Sequence, residues 1–133
     1  HARKPVGLVV LDYIQLMDQP RAESRQVAVA DCSRALKALA RTLHCPVIAL
    51  SQLNRSCEAR VDKRPMMSDL RDSGAIEQDA DQIWFLFRPG YYSGDNSDAR
   101  AEIIVAKNRN GKTGTVECVW EPGQTAFKGG FVP

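Results

Sequence analysis

Apolar residues recur along the first third of the chain in two different rhythms. Pro5-Val-Gly-Leu-Val-Val-Leu-Asp12 is short, nearly continuous and ends on an acid, the pattern of a strand buried on both faces in a parallel sheet. Val29, Cys32, Leu36, Leu39 and Leu43 are instead spaced 3, 4, 3 and 4 apart, which places them on one face of a helix capped by Ser24 and stopped by Pro46. Val47 to Leu50 is a second short apolar run. Strand, helix and strand make a βαβ unit, so the two strands are expected to be parallel, with a right-handed crossover.

From Ser51 to Asp72 the pattern is lost in polar and charged residues. A connection longer than about 12 to 15 residues is commonly functional or disordered, and this one is expected to be a long loop or mobile segment. Ser73 to Ala80 suits a short helix, Ile83-Trp-Phe-Leu-Phe87 a third buried strand, and Gly90 to Asp98 a turn-rich connector. Ala101–Ala106 and Thr115–Trp120 flank Lys107-Asn-Arg-Asn-Gly-Lys-Thr-Gly114, where Asn110-Gly111 signals a hairpin. The expected fold class is α/β: a parallel sheet with flanking helices plus a C-terminal antiparallel hairpin.

The 133 residues suffice for one domain or part of one. Eighteen Lys plus Arg against sixteen Asp plus Glu give a net charge of +2, so the chain is neither a polycation nor an acidic tail, and nucleic-acid contact must come from local patches. No apolar run approaches the roughly 18 residues of a membrane helix, and the first residues lack a signal-peptide core; the expectation is a cytoplasmic protein that makes no membrane contact. Cys32, Cys45, Cys57 and Cys118 show no Cys-x-x-Cys spacing and only His1 and His44 accompany them, which favours reduced structural thiols over a zinc site. The first strand-like run begins at Val6 with only five residues before it, as expected of a piece of a longer polypeptide.

Four places could carry chemistry. Asp12 stands where a strand-end acid of a phosphate-handling enzyme meets Mg²⁺, a hard cation that prefers carboxylate and water oxygens; a plain turn-capping role fits the spacing as well. Gln52, in Ala49-Leu-Ser-Gln52, ends the neighbouring strand and could reach the same crevice or merely cap a loop. Lys107 and Arg109 alternate onto one side of a strand end, an arrangement suited to phosphate, or to keeping a strand edge soluble. Ser68-Asp-Leu-Arg-Asp-Ser-Gly-Ala75 carries Arg71 and Gly74 ahead of a short helix, either a phosphate-approaching loop or an ordinary cap turn. No aromatics interleave the basic residues, so any nucleic-acid strand would be held by its backbone. The sequence has no Gly-x-x-x-x-Gly-Lys-Ser/Thr, so it holds no P-loop and cannot be a complete P-loop ATPase.

Taken together, Val9-Val-Leu-Asp-Tyr-Ile-Gln-Leu-Met17, Ala49-Leu-Ser-Gln-Leu-Asn-Arg55, Asp62-Lys-Arg-Pro65, Ser68 to Asp81 and Ala101 to Thr115 resemble, in order and spacing, the bacterial replicative helicases of the DnaB family. The likeness runs from about Val6 to Trp120 and corresponds to the C-terminal half of a RecA-like motor domain. The resemblance implies that Asp12 is the Walker B acid acting on Mg²⁺ through water, and that Gln52 couples the γ-phosphate to the DNA side. It implies that Arg71, Asp72 and Gly74 belong to a loop holding single-stranded DNA, Asp72 standing where relatives commonly have Glu. Lys107 and Arg109 match the pair inserted into a neighbouring subunit's ATP site, Arg109 as arginine finger. The same resemblance implies ATP and Mg²⁺ as cofactors and single-stranded DNA, a homo-hexamer, primase and a helicase loader as partners. It implies 5′ to 3′ movement at replication forks, and a P-loop and activating glutamate ahead of residue 1, without which the chain alone is expected to be inactive. A non-catalytic binding module and another RecA-like recombination or repair ATPase are the alternative classes.

Overall fold

The computed structural model describes residues 4–17, 22–70 and 74–129. The chain divides into two compact units, one of residues 1–54 and 70–80, the other of residues 55–69 and 81–133.

In the first unit, β1 (Val9–Leu11) pairs in parallel with β2 (Val47–Ala49), Val9 opposite Val47 and Leu11 opposite Ala49. They are joined by α1 (Arg25–Leu43), the βαβ connection that the change of apolar rhythm predicts. Ser24 caps α1, its Oγ accepting from the Val27 N–H at 3.2 Å. At the other end His44 turns left-handed (φ 51°), and Pro46 cannot prolong the helix because it has no N–H to donate. A short helix, α2 (Gly74–Asp79), lies against α1, moored by Ser33 Oγ donating to Asp79 Oδ2 at 2.8 Å.

Burial in this unit is one-sided, contrary to the expectation of a strand covered on both faces. Val29, Cys32 and Ser33 of α1 are buried, but Val10 and Ile48, paired in register, remain exposed, as do Leu39 and Leu43 on the predicted helix stripe. Among the described residues α1 packs against β2 and leaves the face of the pair that carries Val10 and Ile48 exposed, so the apolar run exceeds what these elements bury.

The second unit is a four-stranded antiparallel sheet in the order β3 (Gln82–Phe87), β4 (Arg100–Asn108), β5 (Gly114–Glu121), β6 (Ala126–Lys128). β3 is therefore not a strand buried throughout: Ile83, Phe85 and Phe87 are buried while Trp84 and Leu86 are exposed, because an antiparallel sheet packed on one side needs apolar residues only at alternate positions. The expected Gly90 to Asp98 connector holds a short helix, α3 (Pro89–Ser93). Gly90 is constrained there, since a Cβ would stand 2.6 Å from the Asp95 carbonyl oxygen and 2.7 Å from that of Asp98.

Within the stretch expected to be a long loop, residues 55–69 are organised internally. Two 3₁₀ turns, Arg55–Ala59 and Met67–Asp69, close around a forked ion pair, Arg60 Nη1 and Nη2 each donating to an Asp69 carboxylate oxygen at 2.7 Å. Asp69 is only 1% exposed, accepts also from the Met66 N–H at 2.8 Å, and Arg60 donates further to the Arg64 carbonyl at 2.8 Å. The guanidinium holds the Asp69 carboxyl below its ordinary range, outweighing the opposite push of burial. Charge density that reads as solvated loop is spent in part on this internal fork.

Candidate functional site

Asp12 directly follows β1 and Gln52 lies just past β2, so both stand at the C-terminal edge of the parallel pair, the edge at which α/β sheets present their ligand crevice. The strand ends are stitched together: Leu50 N–H donates to the Leu11 carbonyl and Ile14 N–H to the Leu50 carbonyl, each at 2.9 Å. Ile14, buried, anchors the 3₁₀ turn Ile14–Leu16. Gln15 on that turn clamps the opposite segment. Its Nε2 donates to Ser51 Oγ at 2.9 Å and to the Gln52 carbonyl at 3.3 Å, while its Oε1 accepts from the Gln52 N–H at 3.3 Å. One amide thus uses donor and acceptor together to hold the Gln52 backbone against the turn that comes after Asp12, leaving the Asp12 and Gln52 side chains exposed.

The donor set at Asp12 limits which cation it can take. Among the described residues no group of three or more His, Cys, Asp or Glu could hold a metal ion. A lone exposed carboxylate cannot cage Ca²⁺ or Zn²⁺, yet it fits Mg²⁺, which keeps most of its ligands as water and phosphate oxygens.

Arg71 and Asp72 lie outside the described residues. Gly74 opens α2 with nothing within 4 Å of where a Cβ would stand. α2 itself is fixed to α1 by the Ser33–Asp79 bond, so the segment that carries Gly74 ends on an anchored helix.

Lys107 and Arg109 belong to the other unit, at the β4–β5 hairpin. The loop between the strands spans residues 109–113, longer than a two-residue Asn-Gly turn. Asn108 organises it: its Oδ1 accepts from the Asn110 N–H at 3.3 Å and its Nδ2 donates to the Lys112 carbonyl at 3.3 Å. Just before it the ladder slips. Ile83 faces Lys107 but Trp84 faces Val105, so Ala106 is the extra residue of a β-bulge, a device that twists a strand locally and re-aims the side chains beyond it. Arg109 is tied to Asp81 twice, its N–H donating to the Asp81 carbonyl at 2.8 Å and its Nη1 meeting Asp81 Oδ1 at 2.9 Å. Two cations at neighbouring alternate positions are thereby carried on a bulged, pinned hairpin.

A sequence profile described as the DnaB-like helicase C terminal domain matches residues 1–129. The chain belongs to the DnaB-like helicase C-terminal domain family. It is 56% identical over 115 residues to the replicative DNA helicase DnaB of Geobacillus stearothermophilus, covering 84% of this chain and 25% of that protein. It is 51% identical over 128 residues to the DnaB of Pasteurella multocida, covering 95% and 26%. The chain therefore spans about a quarter of the length of these curated relatives. Among solved structures, one of an ATPase domain superposes with a TM-score of 0.84 at 47% identity, covering 91% of this chain and 43% of that one. A DnaB-like replicative helicase solved for its interactions with primase gives the same TM-score and identity over 91% and 29%. The fold is accordingly part of a RecA-like helicase ATPase domain, the α/β class expected, and the DnaB-like family implies nucleotide and Mg²⁺ use in general. No helix among the described residues is long and apolar enough to cross a membrane.

Two contacts of this DnaB-like chain are not foreseen from the sequence, although both residues lie within the family-like blocks: Gln15 clamps the Gln52 segment, and Asp81 pairs with Arg109. Neither could be found from spacing, because Gln15 lies 36 residues from Ser51 and the Asp81–Arg109 pair exists only through the register of β3 on β4.

Proposed function

We propose that this chain is the C-terminal part, residues 1–133, of the motor domain of a replicative DNA helicase. In this reading the phosphate-cradling loop and the residue that activates water are supplied by polypeptide ahead of residue 1. The observation that carries the reading is the pinned hairpin: Lys107 and Arg109 sit on a bulged strand end whose tip is braced by Asn108 and by Asp81. Placed in the ATP site of a neighbouring subunit, a planar guanidinium and an ammonium neutralise charge on phosphate oxygens, the arginine-finger role.

Mg²⁺-ATP supplies, when bound, the phosphoryl group whose hydrolysis drives the motor. Asp12 holds the aquated Mg²⁺ from the strand end. Gln52, its backbone fixed by Gln15, presents its amide beside Asp12 to sense the terminal phosphate. Arg71, Asp72 and Gly74 grip single-stranded DNA by its phosphates, so affinity is nearly independent of sequence and falls as salt rises. A homo-hexameric ring moving 5′ to 3′ at the replication fork, with primase and a helicase loader as partners in the cytoplasm, completes the proposal.

The test is Arg109→Ala in the full-length ring. ATP turnover is expected to fall by about 10³-fold or more, the range of arginine fingers, while nucleotide binding stays within a few-fold. Turnover retained in assembled rings overturns the reading.

A further inference from the structure

Arg109 is tied to Asp81 through both its main chain and its side chain. Its N–H donates to the Asp81 carbonyl at 2.8 Å, which extends the β3–β4 ladder one step beyond the Gln82–Asn108 pair. Its guanidinium Nη1 lies 2.9 Å from Asp81 Oδ1, with the two side chains 49% and 51% exposed. The ladder bond fixes where the Arg109 backbone is. The carboxylate biases which way the side chain extends, a matter that backbone geometry leaves open because an arginine has four rotatable bonds.

We propose that Asp81 is a positioning residue for Arg109: its carboxylate pre-orders the guanidinium that reaches the neighbouring subunit's phosphates, and thereby raises the rate of the chemical step without binding nucleotide itself. This inference rests on the reading of Arg109 as a trans-acting finger. A flexible arginine side chain loses rotamer entropy when it is held in one geometry, and whatever share Asp81 removes beforehand is not lost at the transition state. The half-exposed pair is weak by nature, so it biases the side chain and still lets it move to phosphate. Asp81 directly precedes β3, and its carbonyl is held by the Arg109 N–H at 2.8 Å.

The alternative physical outcome is competition. A carboxylate that kept hold of the guanidinium would withdraw it from phosphate, and removing that carboxylate would then tighten nucleotide binding and speed turnover. The two accounts predict opposite signs.

Asp81→Asn and Asp81→Glu are introduced into the full-length ring. Asparagine keeps the main-chain bond and the size but loses the charge; glutamate keeps the charge. Positioning predicts that Asp81→Asn lowers kcat about two- to fivefold, the span of an exposed pair, with KM for ATP unchanged, and that Asp81→Glu recovers most of the loss. A binding readout accompanies it: affinity for the transition-state analogue ADP–aluminium fluoride falls by the same factor while affinity for ADP does not. An unchanged or raised kcat, a lowered KM, or equal losses for ADP and the analogue each overturns the proposal. Arg109→Ala is run alongside. If that variant abolishes turnover and Asp81→Asn changes nothing, positioning fails and the finger stands; if Arg109→Ala leaves turnover intact, the finger itself fails.

Discussion

Replacing Asp69 by asparagine removes the charge from the best-buried ionic group among the described residues. Asp69 is 1% exposed and receives two 2.7 Å bonds from Arg60 as well as one from the Met66 N–H. Asparagine can still accept from Met66 but offers Arg60 a single neutral oxygen. Breaking a fully buried pair by removing one partner costs about 3 to 5 kcal/mol. Here the Arg60 side chain keeps 29% of its surface in water, which rehydrates part of the orphaned charge and brings the expectation down to about 2 to 3 kcal/mol. Both tryptophans, Trp84 and Trp120, lie in the same unit as this fork, so their fluorescence reports its unfolding in urea. With a slope of about 1.5 kcal/mol per molar, the midpoint should fall by about 1.3 to 2 M. Asp62→Asn is the control, because it removes the charge from an ion pair with Arg64 whose carboxylate is 68% exposed and should cost under about 1 kcal/mol. A shift for Asp69→Asn no larger than that of the control would refute the reasoning. A double change, Arg60→Met with Asp69→Leu, should recover most of the loss, because a matched apolar pair leaves no charge stranded.

The same fork predicts an acid response. Asp69 has its folded pKa below the unfolded value of about 3.9, so its contribution is fully present above that pH and is lost as pH falls through the folded pKa. The gap between wild-type and Asp69→Asn urea midpoints should therefore be constant from neutral pH down to about pH 5 and narrow below about pH 3.9; a gap that widened on acidification would contradict the sign. Gln15→Leu should leave the parallel pair intact and release the Gln52 backbone. Amide exchange at Gln52, whose N–H bonds Gln15 Oε1, is expected to speed up while that of Leu50, bonded to the Leu11 carbonyl, keeps its protection. Equal rates at Gln52 in both proteins would show that the clamp holds nothing.

Part of this molecule is local in origin. The 3-4-3-4 spacing with a serine ahead of it makes α1, because a capped amphipathic helix needs only nearby residues. A helix between two short apolar runs makes β1 and β2 parallel, since a crossover of that length permits little else. The Asn-Gly signal places the hairpin. The placing of Asp12 and Gln52 at one sheet edge comes from the same local logic, as both simply end their strands. What misled was the apolar run itself. Ile83-Trp-Phe-Leu-Phe87 reads as a strand buried throughout, yet Trp84 and Leu86 are exposed, because a continuous apolar run does not say which of its faces will find a partner.

The sequence by itself determined the βαβ unit, the hairpin, the family and the chemistry-bearing types at Asp12, Gln52, Lys107 and Arg109, all of which depend on order and spacing within short windows. Tertiary structure alone decided that charged residues 55–69 fold around Arg60 and Asp69, that Gln15 clamps Gln52, and that Asp81 pairs with Arg109. Each of these is a hydrogen-bonded meeting of side chains set by strand register or by the closure of a loop. A polar residue carries no periodic mark of its distant partner, whereas an apolar one advertises its buried face at every turn.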